Sequence, residues 1–441
     1  MLAWLDRVFH IGENNSTVHR EVTGGLTTFL TMSYIVFVQP QVLKAAGMDY
    51  GAVFTATCLS SALACFLMGI VANYPIAQAP LMGENFYFAY VLVLGMGVPW
   101  QKALGLVFIS GVCFMLLNIT KLRSQLVNSI PETLKFGISA GIGLFIAFIG
   151  LQQAGIVVGS QGTLVQLGSI TKTPILISLF GLAVMSVLFA RGVKWAILLG
   201  MGAAALAAWI TGLISLHGVF SLPPSMAPTF MKLDLSGILS WDSIPIVLLF
   251  LFITIFDTVG TLIGVGVQGG FMKDGHLPRV ERALVSDSVA TTVGACLGTS
   301  TVSSFIESAT GIAQGARTGL AAIVVGLLFL LSLFFAPLAA TVGGEVLFNG
   351  AALHPITAPA LIMVGALMMG SIRHVRWNDF TDALPAFLIV ALIPLTFNMM
   401  DGIAAGLVAY PLLKTFVGKW REVPALVWIL AVLLALRYVL L

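Results

Sequence analysis

The groups in this chain with the greatest chemical reach are carboxylates set in apolar surroundings. Glu307 sits in SSFIESATGIAQGARTG (303–319), amid serines, threonines and glycines, between long apolar runs. Asp257 sits in LLFLFITIFDTVGTLIGVGV, apolar on both sides, with the hydroxyls of Thr258 and Thr261 nearby. Glu84 precedes Asn85 in YPIAQAPLMGENFYFAY (74–90). A carboxylate within hydrocarbon is costly, so one found there usually binds a ligand, relays a proton or meets a partner on a neighbouring span. No Lys or Arg lies at comparable depth in these segments. Burial then favours the neutral acid, which suggests a proton-coupling site. A sodium ion among carboxylate and carbonyl oxygens answers the same electrostatic problem, and the residues leave both ions open.

The surroundings that must position these acids are membrane spans. The 441 residues are 59% hydrophobic and only 9% charged, with a mean hydropathy of +1.03, far from the average of soluble domains. Four cysteines lie inside apolar runs without paired spacing, which offers neither a disulfide framework nor a zinc site. The polar N-terminal stretch, with Asp6, Arg7, Glu13, His19, Arg20 and Glu21, is unlike a cleavable signal. Apolar segments fall at 23–43, 50–72, 76–94, 98–120, 132–153, 172–190 and 194–214, then, after a polar bridge at 215–242, at 243–265, 282–298, 299–315, 317–336, 355–371, 383–398, 401–417 and 424–440. This predicts seven spans, seven more, and one further C-terminal segment.

With the N-terminus placed in the cytoplasm and the sides alternating, sixteen of the 21 Lys and Arg fall on the inner side. The outer side receives Lys44, Lys102, Lys172 and Lys232, while Arg437 lies within the last segment. That asymmetry supports the segmentation and makes the net charge of +3 a topology signal, with no nucleic-acid partner implied. An odd number of spans per half inverts the second half, the architecture of transporters built from inverted repeats. The third and tenth segments hold equivalent places in the two halves. Pro75, Pro80 and Gly83 interrupt one; Gly298, Ser300, Thr301, Ser303 and Ser304 loosen the other. Each is expected to run as an extended stretch followed by a half-helix, with Glu307 at the start of the second.

Taken in order, GLTTFLTMSYIVFVQPQVL (25–43), the run through Asn85, FDTVGTLIGV (256–265) and GTSTVSSFIESATGIAQGARTGLAAIVVG (298–326) resemble the purine permeases of the nucleobase/cation symporter-2 family, AzgA-like branch, over nearly the whole chain. The resemblance implies an all-α protein of fourteen spans in a 7+7 inverted repeat. After a cytoplasmic N-terminus (1–22), a core domain would comprise spans 1–4 and 8–11 (23–120 and 243–336). A gate domain would comprise spans 5–7 and 12–14 (132–214 and 355–417), with 424–440 an additional segment. The activity implied is import of hypoxanthine, guanine or adenine with a proton, without a bound cofactor, across the inner (cytoplasmic) membrane. Members of this general fold are often dimers, but no motif here shows an interface.

By the same resemblance the substrate carboxylates fall on Asp257 and Glu307, and the third-span asparagine falls on Asn85. The chain departs from the usual MGLNAFFAF at two positions, where Glu84 and Phe86 replace leucine and alanine; Gln39 stands where an NPQ asparagine is usual. Neighbouring helical residues point about 100° apart, so Glu84 and Asn85 are not expected to face one ligand together. Glu84 is left as a partner for a polar group between spans, as an extra ligand or proton site, or as a simply exposed side chain. Phe86 adds bulk that would narrow the pocket.

A purine is a planar heterocycle edged with donors and acceptors. An ionised carboxylate reads its N–H groups, an amide reads both senses, and the hydroxyls of Ser308 and Thr261 extend the set. The rings of Phe305, Phe86 or Tyr87 could stack on its face. Asp287 reads as a structural contact at a helix end. Among rival readings, a xanthine or uracil transporter differs only in the base. An anion transporter or channel on the same fold is opposed by the acidic groups. An enzyme lacks a recognisable nucleophile and base pair, and no histidine lies in a span.

Overall fold

The structure is a computed structural model that describes residues 2–120, 131–160, 162–216, 218–238, 240, 243–272, 277–348 and 350–440. Of the inner basic residues counted above, Lys121, Arg123 and Lys273 lie outside the described residues. Each predicted apolar segment corresponds to at least one regular element. The helices are α1 (Leu2–Phe9), α2 (Val18–Met32), α3 (Ile35–Ala45), α4 (Tyr50–Leu67), α5 (Met82–Phe86), α6 (Trp100–Ile119), α7 (Glu132–Gln153), α8 (Thr173–Ala190), α9 (Ala196–Ile210) and α10 (Ile244–Gly269). They continue as α11 (Val280–Leu297), α12 (Ser308–Ile312), α13 (Gly319–Ser332), α14 (Ala336–Val342), α15 (Ala358–Met369), α16 (Phe380–Thr396), α17 (Met399–Phe416) and α18 (Ala425–Leu440). Among the described residues, seven helices are long and apolar enough to cross a membrane. Four more, within Ala196–Ile210, Ala358–His374, Phe380–Thr396 and Ala425–Leu436, are apolar but shorter.

Six short strands are embedded in this helical protein. β1 (Gln78–Pro80) pairs antiparallel with β4 (Val302–Ser304). β2 (Val157–Ser160) with β3 (Leu164–Leu167) and β5 (Val346–Phe348) with β6 (Ala351–Leu353) form two hairpins between helices. The first pair realises the extended stretches expected in the third and tenth segments. The two hairpins lie outside the segments expected to be extended.

The chain divides into two compact units. The larger comprises Met1–Asn118 and Gln152–Ala360, the smaller Ile119–Leu151 and Leu361–Leu441. In the larger unit α13 packs on α2 and α4, α11 on α4, and α8 on α9. Glycines permit close approach of α13 to the chain just beyond α4 and of α12 to α2. A Cβ at Gly319 would lie 2.0 Å from the Gly69 carbonyl oxygen, and one at Gly311 would lie 2.2 Å from Thr28 Oγ1 and 2.4 Å from the Gly24 oxygen. Buried Glu21 holds the entry to α13, accepting from the Arg317 amide at 2.8 Å and the Thr318 amide at 3.2 Å. In the smaller unit α16 packs on α17 and α17 on α18. Buried Lys414 of α17 lies 2.9 Å from Asp382 and 3.1 Å from Glu422, while Lys419 reaches Asp379 at 2.9 Å.

Candidate functional site

The site grows from the pairing of the two broken segments in the larger unit. Pro80 disfavours helix at Ala79 and removes a donor, which an isolated two-stranded pair tolerates. The serines and threonines of 299–304 are weak helix formers with hydroxyls to offer. Gln78 thus faces Ser304, Ala79 faces Ser303 and Pro80 faces Val302. The pairing extends beyond the strands through Leu81 N–H to Thr301 O at 2.9 Å and Phe305 N–H to Ala77 O at 2.9 Å. Each strand then leads into a short helix, β1 into α5 and β4 into α12.

Three helices close on this crossing. On α10, Thr254, Asp257, Thr258 and Thr261 recur at i, i+3, i+4 and i+7, one face of a helix. On α11, Asp287 is fully buried. Its Oδ1 accepts from Gln78 Nε2 and, at 3.2 Å, from the Ser304 hydroxyl; its Oδ2 accepts from the Thr258 hydroxyl. Thr258 and Ser303 hydroxyls are 2.8 Å apart. Asp287 therefore ties α10 and both strands together. The expectation of a helix-end contact is corrected: α11 begins at Val280, which places Asp287 two turns inside it. Where α2 gives way to α3, buried Tyr34 donates its hydroxyl to Glu307 Oε1 at 2.9 Å.

The predicted site residues are distributed as follows. Glu307 is the N-cap residue of α12, is partly exposed, and lies within electrostatic reach of Asp257. Asp257 is also partly exposed, and among the described residues it has no hydrogen-bond partner. Asn85 is fully buried; its Oδ1 accepts from the Ser300 hydroxyl, while its Nδ2 has no partner among the described residues. Gln39 reaches the same edge, its Nε2 donating to Thr299 at 3.1 Å and Ser300 at 3.3 Å. Glu84 turns instead toward α10, accepting from the Thr254 hydroxyl at 2.8 Å. The divergence expected of Glu84 and Asn85 is thus present.

Ser308 is occupied with the backbone, accepting from Ala77 N–H at 3.0 Å and donating to Phe305 O at 2.7 Å. Thr261 on α10 and Phe305, between β4 and α12, are both buried. Phe86 is fully buried and stacks on Tyr90, ring centroids 5.7 Å apart and planes 19° apart. Tyr87 packs edge-on against Phe250 at 5.4 Å.

Tyr34, Thr254 and a polar chain behind Phe86 escaped the sequence reading. In that chain Gln153 donates to the Tyr90 hydroxyl at 2.9 Å, Gln41 donates to Gln153 Oε1 at 2.9 Å, and Thr357 donates to Gln41 Oε1 at 2.6 Å. Gln41 also lines a separate cavity of about 340 Å³ with Lys44, Tyr50, Glu345 and His354. Among the described residues no group of three or more His, Cys, Asp or Glu is arranged to hold a metal ion.

This architecture is shared with solved membrane transporters. The transmembrane domain of the cyanobacterial bicarbonate transporter BicA superposes with a TM-score of 0.63 at 16% identity, covering 88% of this chain and 97% of that domain. The murine anion transporter Slc26a9 in its inward-facing state superposes with a TM-score of 0.65 at 10% identity, covering 94% of this chain and 72% of that one. At such identities the likeness speaks for the fold alone. Fold and apolar helices are those of a multi-pass membrane protein.

The chain belongs to the Permease family (Xan_ur_permease), whose model matches residues 19–405. Relatives include the guanine/hypoxanthine permease PbuO of Bacillus subtilis, 44% identical over 432 residues that cover 97% of this chain and 98% of that protein. The adenine permease AdeP of Escherichia coli is 40% identical over 436 residues, covering 99% of this chain and 96% of that protein.

Proposed function

We propose that this permease imports a purine nucleobase, hypoxanthine, guanine or adenine, across the cytoplasmic membrane together with a proton. The reading is supported most by one observation: two carboxylates, Glu307 and Asp257, stand within electrostatic reach of each other beside the paired broken segments. PbuO and AdeP, by name permeases of guanine/hypoxanthine and of adenine, point to the same substrate class. Glu307 reads an N–H edge of the base, and Tyr34 orients that carboxylate. Asn85 Nδ2, a buried donor without a partner among the described residues, offers itself to a ring nitrogen or exocyclic oxygen. Asp257 carries the coupling proton, since it lies within electrostatic reach of Glu307 and has no hydrogen-bond partner among the described residues. A neutral Asp257 lowers the cost of holding Glu307 ionised beside it, so proton and base each favour the other's binding.

In this reading fourteen spans form a 7+7 inverted repeat with a cytoplasmic N-terminus. The core (23–120 and 243–336) carries the base past the gate (132–214 and 355–417) by alternating access, and two copies pair as a homodimer. Although BicA and Slc26a9 are transporters of anions by name, acidic groups at this site repel an anion.

The test is uptake of radiolabelled hypoxanthine in a host lacking its own permeases, with guanine, adenine, xanthine and uracil as competitors, with and without a protonophore. Competition by the other purines and loss of accumulation with protonophore are expected. Competition by uracil or xanthine alone, or by bicarbonate, would overturn the substrate assignment.

A further inference from the structure

The function above leaves unused the cavity of about 340 Å³ that Gln41, Lys44, Tyr50, Glu345 and His354 line within the larger unit. With the N-terminus in the cytoplasm, as proposed above, Lys44 and this cavity face the outer side. Its volume falls in the range of small-molecule sites, about 300–1,000 Å³. Its charges are balanced. The Lys44 ammonium stands 3.4 Å from the Glu345 carboxylate, and burial lowers the basicity of His354, which keeps that imidazole neutral. Lys44 and Glu345 are each about half exposed, and a pair of that kind is held weakly enough to open to a ligand.

Such a lining suits a neutral polar molecule. An anion would meet Glu345 and a cation Lys44, whereas a planar base with N–H donors and ring acceptors along its edges is answered by the carboxylate, the ammonium and the Gln41 amide together. The cavity is also linked to the central site. Gln41 Nε2 donates to Gln153 Oε1 at 2.9 Å, Gln153 Nε2 donates to the Tyr90 hydroxyl at 2.9 Å, and the Tyr90 ring stacks on Phe86, the neighbour of Asn85. The Thr357 hydroxyl holds Gln41 Oε1 at 2.6 Å, and the His354 amide donates to the Gln153 carbonyl at 2.9 Å. In the division proposed above, Gln41 and Tyr90 belong to the core, Gln153 and Thr357 to the gate, so the chain ties one to the other. Parting these buried amides strands their donors and acceptors, which is costly; a base in the cavity supplies Gln41 with replacements.

We propose that this cavity is an outer binding site for the purine base, filled before the central site, and that the Gln41–Gln153–Tyr90 chain is the bolt between the two. The proposal rests on the import reading above and adds one station to its path. A base held by Lys44 and Glu345 takes over the hydrogen bonds of Gln41, Gln153 and Tyr90 separate, and Phe86 is released from its stack, which clears the way to Asn85 and Glu307.

The experiment places a thiol on the cavity wall, as Ala45→Cys in the full chain, and treats right-side-out vesicles with a membrane-impermeant thiol reagent; labelling at that position is read by mass spectrometry. Hypoxanthine is expected to protect it. The half-protecting concentration should be unchanged when Glu307→Gln disables the central site and should rise about tenfold or more with Glu345→Gln, for the loss of a charge-assisted hydrogen bond. Absence of protection, a half-protecting concentration that rises with Glu307→Gln, or one that ignores Glu345→Gln overturns the outer site while leaving import intact. A wild type that takes up no purine sinks the import reading itself. The bolt is read separately: Phe86→Cys should stay unlabelled from outside and become labelled when Gln153→Leu is added, and a thiol there that remains unlabelled in the double variant overturns the bolt. Should Ala45→Cys or Glu345→Gln fail to insert, Ala340→Cys and Lys44→Met take their places with the same outcomes.

Discussion

At the scale of single residues, the account turns on Glu307. A carboxylate that accepts from N–H groups of a base contributes charge-assisted hydrogen bonding of about 1.5–3 kcal/mol. Glu307→Gln should therefore raise the purine Kd by roughly 10- to 100-fold while the protein still inserts; unchanged affinity in the purified variant would remove it from the site. Tyr34→Phe removes the hydroxyl that orients Glu307 and should weaken binding more mildly, by about fivefold for one hydrogen bond of about 1 kcal/mol. Asp257→Asn mimics a permanently protonated acid. It should retain base exchange but lose concentrative uptake and its pH dependence between pH 5 and 8, and a wild-type profile would show that another group couples. Glu307 and Asp257 were legible in the sequence because a lone acid amid apolar residues stands out without any knowledge of its neighbours. Tyr34 and Thr254 were not, because a hydroxyl in an apolar span acquires meaning only from what packs against it.

At the scale of elements, the pairing of β1 with β4 positions everything else, and Asp287 secures it. Asp287→Ala would leave Gln78, Thr258 and Ser304 short of an acceptor, at about 1–3 kcal/mol for each donor left unsatisfied. Its melting temperature in detergent should fall along with purine affinity; loss of binding with unchanged melting would point to direct contact instead. Gly311→Val tests the approach of α12 to α2. The new side chain would overlap Thr28 and the Gly24 carbonyl, an overpacking cost of about 1–3 kcal/mol, and should displace Glu307 at the start of α12. Proline, glycine and serine made the broken segments readable in advance. The equivalent places of the two segments were readable too, whereas their pairing across more than 200 residues comes from the fold, and Asp287 was misplaced because its acceptor role depends on strands that only the fold brings to it. The hairpins at 157–167 and 346–353 carry too little alternation to announce themselves.

At the scale of the molecule, the two units depend on different forces. The smaller is clamped by Lys414, whose buried ammonium meets Asp382 and Glu422. Lys414→Met would leave buried Asp382 with only the longer 3.9 Å pairing to exposed Arg376 and should lower stability by up to about 3–5 kcal/mol, visible in melting. Nearby, the Thr381 hydroxyl and the Lys419 ammonium hold the Asp379 carboxyl below its usual range. A depressed carboxylate stabilises the folded state at neutral pH and loses that contribution as pH falls through its folded value, so the melting temperature should fall below about pH 4 and Lys419→Met should blunt that fall. The larger unit holds the whole candidate site, and its acids make the central claim testable on the intact protein. Proteoliposomes containing the purified chain and preloaded to impose an inward proton gradient should accumulate hypoxanthine above its external concentration, and lose that accumulation when a protonophore collapses the gradient. Purine uptake that never exceeds equilibrium, or that continues undiminished after collapse in sodium-free buffer, would contradict the account.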